Sequence, residues 1–498
     1  MELASPKASG ANGSASPRHR LPYRDLREWI AEVEKLGELR RVDGATCEQD
    51  IGMVTELFQH DEHAPAALFD DIPGFPKGFR VLANFFGARR KNMTFGFPTD
   101  LNKVQLSEAL VASLQAAFEH PVPFRVVKDG PVLQNVLRGA DVDVLKFPTP
   151  KWHEGDGGRY IGTGCFNVTK DPDSDWINCG TYRAMIHDRT NVGFHISPGK
   201  HGGGHRDKYF ARGEPMPTCM VIGVDPFTFL MAGSDVPHGL CEYDVVGAYR
   251  GEPMDVILGE VTGLPFPANA EIVLEGFCYG DRQKAEGPFG EWTGFYSSSV
   301  RESPVMEVKA IYYRNDPIIL GSPPQRPPDE HSRYLAIVRS AQLKDSIKRS
   351  GVPDVQSVWC HEVGGSRMFT GVSIKQKYPG HATQAGFIAA QCGVGAFAGK
   401  YVVVVDEDID VTDLDQLLWA MCFRSDPATS VQIIRDTYST KLDPSIPPWK
   451  KDAGDTTNSR AIINACRPFH WKGDYPTVNV PDPELYKLAR EKWGHLLK

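Results

Sequence analysis

The spacing of apolar residues in the first part of the chain predicts helices alternating with short strands. Four apolar residues near the start recur at helical spacing: Leu26, Trp29, Ile30 and Val33. This spacing predicts an amphipathic helix that ends at Gly37. From there to about Asn135, short apolar segments such as VLANFFGARR alternate with turns. We therefore expect a mixed α/β region.

The middle of the chain has the apolar pattern of strands. From about Val142 to Pro323, runs rich in β-branched and aromatic residues are broken by glycine and proline, as in MVIGVDPFTFLMAG, EIVLEGFCYG and VMEVKAIYYR. This pattern is typical of a β-rich barrel or sandwich.

A proline-rich segment, SPPQRPPDEHSRYL, separates the middle of the chain from the last part. The residues from Tyr334 to Ser350 are amphipathic and predict a linker helix, which Gly351 and Pro353 close off. Beyond it, VQSVWC, FTGVSIK and YVVVVDEDID have the composition of buried strands and alternate with helical stretches such as DLDQLLWAMCF. Such alternation predicts a second α/β domain.

A terminal helix is expected from the segment ELYKLAREKWGHLLK. Asp482 and Pro483 stand where an N-cap residue and a first helical residue are favoured. The apolar residues Leu485, Leu488 and Trp493 need a surface to pack against. That surface belongs either to another subunit or to the same chain.

The fold class that follows is a multidomain α+β or α/β protein. The predicted boundaries are a disordered tail at 1–20, an N-terminal α/β region at 21–135, a β-rich domain at 136–325, a linker helix at 326–352, a C-terminal α/β domain at 353–470, and a tail with the terminal helix at 471–498.

Composition narrows the classes of function. The chain has 498 residues, 55 Lys+Arg, 63 Asp+Glu and a formal net charge of -8, without a long basic run. Nucleic acid is therefore not an expected partner. No apolar run reaches the roughly 18 residues that a membrane-spanning helix needs. The ten cysteines include no C-x-x-C pair, which favours a reduced cytoplasm.

Two glutamates flank a turn in EGPFGEWTGF. Gly287, Pro288 and Gly290 exclude a regular helix between Glu286 and Glu291. In a shaped loop both carboxylates can face one cleft, and paired carboxylates are a common arrangement for proton transfer. The alternative is a polar turn with both glutamates in solvent.

A second stretch, Trp176 to His205, is rich in histidine and glycine. Its glycines and Lys200 suit anion binding, although the spacing matches neither a Walker A motif nor G-x-G-x-x-G. His201 and His205 form either a dihistidine site or, more in keeping with the three glycines between them, a surface loop rather than a helix. A more coherent ligand set comprises Asn178, His201 and Glu242, which suits manganese or magnesium at a phosphate.

Arg183 lies near these candidates in the sequence, in the strand-like segment TYRAM. If it faces the two loop glutamates, its charge lowers the pKa of one of them, and burial keeps the other protonated. A guanidinium also binds a substrate carboxylate through two parallel hydrogen bonds. The alternative is an ordinary exposed salt bridge.

Several separated motifs, in this order, resemble the UbiD family of reversible decarboxylases. They are Asn178 with Thr181-Tyr182-Arg183, the loop from Ser197 to Gly203, Glu242 in GLCEYD, and Glu286-Gly-Pro-Phe-Gly-Glu291. The resemblance extends over nearly the whole chain after the first residues.

The resemblance implies a split-barrel, flavin-reductase-like domain that binds prenylated FMN, and a C-terminal α/β domain used for oligomerisation. It implies that Asn178, His201 and Glu242 hold Mn²⁺ (or Mg²⁺) at the cofactor phosphate, with K⁺ nearby. Arg424 resembles the arginine that family members place near that K⁺. The implied cofactor-binding residues are Asn178, Thr181, Tyr182, Arg183, Ile196, Ser197, Pro198, Lys200, His201 and Glu242.

The implied activity is reversible, non-oxidative decarboxylation of an aromatic or heteroaromatic acid, such as a hydroxybenzoate or an indole or pyrrole acid, with release of CO2. Arg183, Glu286 and Glu291 are the implied catalytic residues, and His331 is a candidate for a substrate hydroxyl. The implied partners are the acid, CO2, a flavin prenyltransferase that supplies the cofactor, and further copies of the chain in a homodimer or larger oligomer. A cinnamate-type acid, a metal-dependent hydrolase and a non-catalytic scaffold are the alternatives.

Overall fold

The structure of the chain is a computed structural model that describes residues 21–197, 199–234, 236–297, 299–479 and 482–497. The tail predicted at residues 1–20 lies outside this range. Within the described ranges, no helix is both long and apolar enough to cross a membrane.

The N-terminal part alternates helices and strands. Its elements are α1 (Leu26–Lys35), β1 (Leu39–Asp43), α2 (Asp50–Gln59), β2 (Ala66–Asp70), β3 (Arg80–Ala83), α3 (Arg90–Thr94) and α4 (Lys103–Glu119). The predicted first helix is confirmed as α1, whose four periodic apolar residues are all buried. Asp25 caps α1 by accepting a hydrogen bond from the Glu28 backbone N–H at 2.9 Å.

The middle part is dominated by strands. Its elements are β4 (Arg125–Val126), β5 (Asn135–Arg138), β6 (Tyr160–Gly162), β7 (Cys165–Lys170), β8 (Ile177–Gly180), β9 (Ala184–Met185), β10 (Asn191–Gly193), α5 (His201–Ala211), β11 (Met216–Ile222), α6 (Pro226–Ala232), α7 (Glu242–Arg250), β12 (Asp255–Leu258), β13 (Pro265–Pro267), β14 (Ile272–Glu286), β15 (Arg301–Tyr313) and β16 (Ile318–Leu320).

The strands of these two parts form two main sheets. The N-terminal sheet has the order β1-β2-β3-β16, so its last strand comes from far along the chain. The central sheet has the order β10-β15-β14-β11-β7-β8, with β5 also paired to β15, and its neighbouring strands are antiparallel. The β-rich middle is thus confirmed.

Two segments of the middle part differ from their predicted structure. DPFTFLMA is helix α6, capped by Asp225, although its aromatic residues suggested a strand. The segment from His201 to His205 begins helix α5, although its three glycines favoured a loop. Gly202 explains the second difference, because its N–H donates to the Tyr182 hydroxyl at 3.0 Å and a Cβ there would lie 2.6 Å from that oxygen. This tertiary packing outweighs the low helix propensity of glycine.

The last part contains the linker helix and an α/β layer. Its elements are α8 (Glu330–Arg349), β17 (Val355–Cys360), β18 (Phe369–Ile374), α9 (His381–Gln391), β19 (Tyr401–Asp406), α10 (Leu414–Arg424), α11 (Pro427–Ser430), β20 (Val431–Thr437), α12 (Pro448–Asp452), β21 (Asn458–Asn464) and α13 (Pro483–Trp493). The linker helix is confirmed as α8, which begins four residues before the predicted Tyr334 because Asp329 supplies a capping box.

The C-terminal sheet has the order β17-β18-β19-β21-β20, with β18, β19 and β21 parallel to one another. This confirms the second α/β layer. The terminal helix is confirmed as α13, with Asp482 as its cap. In the isolated chain Leu485, Leu488 and Trp493 remain exposed, which removes packing on their own chain as the explanation for them.

Candidate active site

The two glutamates are presented by the end of a long strand and the loop after it. We call residues 286–295 the glutamate loop. Glu286 is the last residue of β14 and lies opposite Arg301 of β15 in the strand register. Gly287 then adopts φ +88°, a conformation that residues with a side chain rarely take. The predicted turn therefore leads the chain away from the sheet before Glu291.

Arg183 joins both glutamates. Its Nε and Nη2 donate to the two carboxylate oxygens of Glu286 at 2.7 and 2.9 Å, and its Nη1 donates to Oε1 of Glu291 at 2.5 Å. The side chain of Glu286 is 1% exposed and that of Glu291 is 10% exposed. The polar turn in solvent is therefore wrong, because the three charged side chains form one buried network.

Aromatic side chains support this network. The Arg183 guanidinium carbon lies 4.8 Å from the centre of the Phe289 ring, a cation–π contact. The ring of Tyr160 lies 4.5 Å from that of Phe289, and its hydroxyl donates to Oε1 of Glu286 at 3.2 Å. The apolar residue between the two glutamates thus forms one wall of their pocket.

The charges in the network favour the ionised forms of Arg183 and Glu286. Burial alone would lower the pKa of Arg183, but the hydrogen bonds and charges of the two glutamates outweigh it and raise that pKa. Burial alone would raise the pKa of Glu286, but the hydrogen bonds and charge of Arg183 lower it below its ordinary value. Glu286 is therefore a carboxylate at neutral pH.

A cavity of about 150 Å³ holds the second group of candidates. Six of the predicted cofactor-binding residues line it: Asn178, Thr181, Tyr182, Lys200, His201 and Glu242. Thr181 and Tyr182 directly precede Arg183, so the same segment serves the cavity and the glutamate network.

The three predicted metal ligands reach this cavity from three elements. Asn178 lies on β8, His201 is the first residue of α5, and Glu242 is the first residue of α7. Two helix N-termini therefore meet at the cavity beside Lys200. The positive ends of the two helix dipoles favour a bound phosphate there.

The donor chemistry at this cavity fits a hard divalent cation. Glu242 is buried and accepts a hydrogen bond from the Cys179 backbone N–H at 2.7 Å, and burial raises its pKa to about 8. A metal ion would offset the cost of burying this carboxylate. The amide nitrogen of Asn178 faces the Tyr182 hydroxyl at 3.5 Å, so its oxygen is available as a ligand.

Three other predicted residues lie apart from the cavity lining, and one lies outside the described residues. Ile196 is buried in a core cluster and Ser197 is exposed. Pro198 is the residue that the structure does not describe. Arg424 pairs with Asp408 at 2.9 and 2.7 Å in the C-terminal layer.

His331 is the second residue of α8, and its ring lies 5.2 Å from the ring of Tyr334. Burial, with a smaller contribution from Arg367, lowers its pKa to about 3. The imidazole is therefore neutral at physiological pH and can donate or accept a hydrogen bond.

Several residues of the site were missed in the sequence. Tyr160 and Arg301 approach Glu286, the latter with its Nε at 3.6 Å. Cys179 and Cys241 place their thiols within 4.8 Å of a carboxylate oxygen of Glu242. Both cysteines adjoin a predicted ligand in the sequence, which was a usable signal. For Tyr160 no local pattern existed.

Family models match three consecutive parts of the chain. They describe the 3-octaprenyl-4-hydroxybenzoate carboxy-lyase N-terminal domain at residues 30–114, its Rift-related domain at 125–327 and its C-terminal domain at 333–465.

Curated relatives match over almost their whole length. Pyrrole-2-carboxylic acid decarboxylase of Pseudomonas aeruginosa is 31% identical, with 94% of this chain and 97% of the relative covered. Phenolic acid decarboxylase of Streptomyces sp. strain D7 is 30% identical, with 94% and 98% covered.

Solved structures match the whole architecture. The UbiD-class enzyme HmfF from Pelotomaculum thermopropionicum, solved in complex with FMN, superposes with a TM-score of 0.82 at 29% identity, covering 94% of this chain and 99% of that one. An evolved dimeric form of the same enzyme, in complex with prFMN, gives a TM-score of 0.78 at 26% identity, covering 94% and 99%.

Proposed function

Because this chain belongs to the UbiD family of carboxy-lyases, we propose that it catalyses the reversible, non-oxidative decarboxylation of an aromatic or heteroaromatic acid with prenylated FMN. The observation that carries this proposal is the buried bridge from Arg183 to Glu286 and Glu291. The two residues before Arg183, Thr181 and Tyr182, line a cavity suited to a metal-bound phosphate.

The cavity residues would hold the phosphate end of the flavin. Asn178, His201 and Glu242 are the ligands for Mn²⁺ or Mg²⁺, and Lys200 with the N-termini of α5 and α7 neutralises the phosphate. A K⁺ ion beside it belongs to the same proposal. The bound flavin supplies the electron sink that loss of CO2 from an sp² carbon requires.

Arg183 orients the acid. A guanidinium has five N–H donors, and three of those of Arg183 point at the two glutamates, which leaves one on each terminal nitrogen. These two remaining N–H groups can donate to the substrate carboxylate, so the acid can join the network.

Glu291 and Glu286 have different roles in this proposal. Glu286 is held as a carboxylate by two hydrogen bonds from Arg183 and fixes the direction of the guanidinium. Glu291 receives one hydrogen bond from Arg183, which leaves its second oxygen to carry a proton. Glu291 therefore returns the proton to the ring carbon after CO2 has left.

The names of the relatives help to propose which kind of ring the substrate acid carries. One is a pyrrole-2-carboxylic acid decarboxylase and the other a phenolic acid decarboxylase. Both names favour a heteroaromatic or hydroxylated aromatic acid over a cinnamate-type acid. His331, neutral at physiological pH, is the proposed partner for a ring hydroxyl or ring N–H.

The test of this function uses the full chain produced with and without a flavin prenyltransferase. We expect coloured protein in the first case, and release of CO2 from pyrrole-2-carboxylate or a hydroxybenzoate in an acid panel. Protein without the cofactor should be inactive. Metal-dependent activity without flavin would instead favour a hydrolase, and turnover of cinnamate alone would favour the unsaturated-acid alternative.

Glu242→Gln is expected to weaken binding of the divalent ion by at least about tenfold, because a carboxylate that binds the ion directly matters at least as much as a residue that hydrogen-bonds one of its ligands. The amide keeps the shape of the side chain but removes its charge. Metal analysis of the purified protein and its flavin absorbance measure the effect, and both should fall.

Asp244→Asn is the matched control for that variant. Asp244 lies on the same helix α7 and accepts a hydrogen bond from the Phe124 backbone N–H, outside the cavity lining. Its metal content should equal that of the wild type. Normal metal content in Glu242→Gln would exclude Glu242 as a ligand.

Three finer features complete the proposal. The central antiparallel sheet forms the split-barrel, flavin-reductase-like domain. The exposed apolar residues of α13 pack against a second copy of the chain in a homodimer or larger oligomer. Trp419 and Phe423 of α10 belong to the same contact. The ten free thiols support a reduced cytoplasm as the compartment. A measurement of the molar mass in solution tests whether the chain forms this oligomer.

A further inference from the structure

The glutamate loop is held from outside by two other segments of the chain. Residues 153–157 lie against it on one side, and residues 325–329, which lead into helix α8, lie against the first segment and the loop. The contacts consist of backbone and buried polar groups, so they constrain where Glu291 lies.

Asp156 makes the main contact with the loop. Its side chain is fully buried, and Oδ1 accepts a hydrogen bond from the Gly290 backbone N–H at 3.0 Å. Oδ2 accepts the backbone N–H of His153 at 3.1 Å and lies 3.0 Å from Nδ1 of its ring. Gly290 directly precedes Glu291, so this carboxylate sets the backbone position of the proposed proton donor.

Close backbone approach strengthens the contact. The Gly157 N–H donates to the Pro288 carbonyl at 2.8 Å, and a Cβ at Gly157 would lie 2.0 Å from the Gly287 carbonyl oxygen. A Cβ at Gly290 would lie 2.9 Å from the His153 ring. Glycine is therefore required at both positions for these segments to meet.

His153 extends the contact to the linker helix. Its Nε2 lies 2.9 Å from Oε1 of Gln325, and the Gln325 backbone N–H donates to Oδ2 of Asp329 at 2.8 Å. Asp329 caps α8 through the Ser332 N–H. A continuous chain of hydrogen bonds thus runs from the glutamate loop to the first turn of the helix that carries His331.

The charges of the pair support its stability. Burial alone would lower the pKa of His153, but the hydrogen bond and charge of Asp156, with the hydrogen bond that the ring donates to Gln325, raise it above its ordinary value. The imidazolium form pairs with Asp156 as a partly buried ion pair. Removing one partner would leave the other charge uncompensated.

We propose that Asp156 and His153 are positioning residues for decarboxylation, which fix the Gly290–Glu291 backbone and tie it to the start of helix α8. In the part of the chain that the structure describes, no hydrogen bond joins either residue to Arg183, so they act through the backbone before Glu291. The expected effect on catalysis rests on the proposed function. The expected effect on the position of the glutamate loop does not depend on that function.

The structural part is tested by hydrogen–deuterium exchange in the cofactor-free chain. Asp156→Ala removes the acceptor for the Gly290 N–H, so peptides covering 286–295 should exchange at least about tenfold faster than in the wild type. Asp156→Asn keeps a side-chain oxygen that can accept the Gly290 N–H, but its amide NH2 group then faces the His153 ring. The increase in exchange should therefore be smaller in this variant than in Asp156→Ala. Unchanged exchange in Asp156→Ala would overturn the inference.

Glu38→Ala is the matched control. Glu38 is a buried carboxylate that accepts the backbone N–H groups of Arg89 and Arg90 in the N-terminal part. This variant should lose stability as Asp156→Ala does, without faster exchange in the glutamate loop.

The catalytic part is tested in the holoenzyme with the acid that it converts fastest. Misplacing Glu291 should lower kcat about 100-fold in Asp156→Ala, with KM nearly unchanged. Incorporation of deuterium at the ring carbon of the product in heavy water should slow in parallel with kcat. Faster exchange with an unchanged kcat and unchanged deuterium incorporation would overturn positioning, and an inactive wild type would contradict the proposed function while the exchange result still stands.

Discussion

Arg183→Lys is expected to lower decarboxylation by at least about a thousandfold, which corresponds to about 4 kcal/mol of transition-state stabilisation. Lysine keeps the positive charge but is a point charge on a flexible stem, without the planar fork that bonds both oxygens of Glu286 and also reaches Glu291. In the variant one of two buried glutamates loses its partner, and the substrate carboxylate loses guanidinium donors. The initial rate of CO2 release, normalised to bound flavin, measures the loss.

Arg282→Lys is the matched control for this prediction. Arg282 also combines a carboxylate partner with an aromatic ring, since it pairs with Glu307 and lies 4.0 Å from the centre of the Tyr279 ring. It lies on the exposed part of β14, so its variant should retain full activity. An Arg183→Lys enzyme with near-normal turnover would show that the bidentate geometry is not needed.

Glu291→Gln is expected to lower kcat by about 100- to 10,000-fold, the contribution typical of a general acid. The amide retains a hydrogen bond to Arg183 but has no proton to give to the ring carbon. Incorporation of deuterium at that carbon of the product in heavy water should slow in parallel. Flavin and metal contents should be unchanged, because Glu291 lies outside the cavity lining.

Two further variants sharpen this test. Glu291→Asp keeps an acid on a shorter side chain and should recover part of the activity. Glu302→Gln makes the same chemical change on an exposed residue of β15 and should have no effect. Near-normal turnover and proton exchange in Glu291→Gln would reject Glu291 as the donor.

Much of the fold could be predicted because its signals are local. The apolar spacing of α1, the strand composition of β17, β18 and β19, and the cap of α13 are all properties of a few neighbouring residues. Helix α5 could not be predicted in this way. Its glycines disfavour a helix locally, and the close packing of Gly202 against Tyr182 is a tertiary contact that no local pattern shows.

The candidate site divides along the same line. Neighbouring residues predict the Gly-Pro turn between Glu286 and Glu291. The family motifs indicated Arg183 as the partner of these two glutamates. Tyr160, His153 and Asp156 could not be found, because their role depends on which distant backbone they contact. A histidine in a glycine-rich segment has no local pattern that distinguishes a positioning role from an exposed one.

Adjacent residues were sufficient to predict that a turn separates two carboxylates, because proline removes a backbone donor and glycine adopts conformations that other residues avoid, wherever they occur. Chain folding had to bring Arg183 to both carboxylates and to assemble Asn178, His201 and Glu242 around one cavity. These side chains come from separate strands and helices. Their distances follow from the packing of whole elements, which no short segment of the chain encodes.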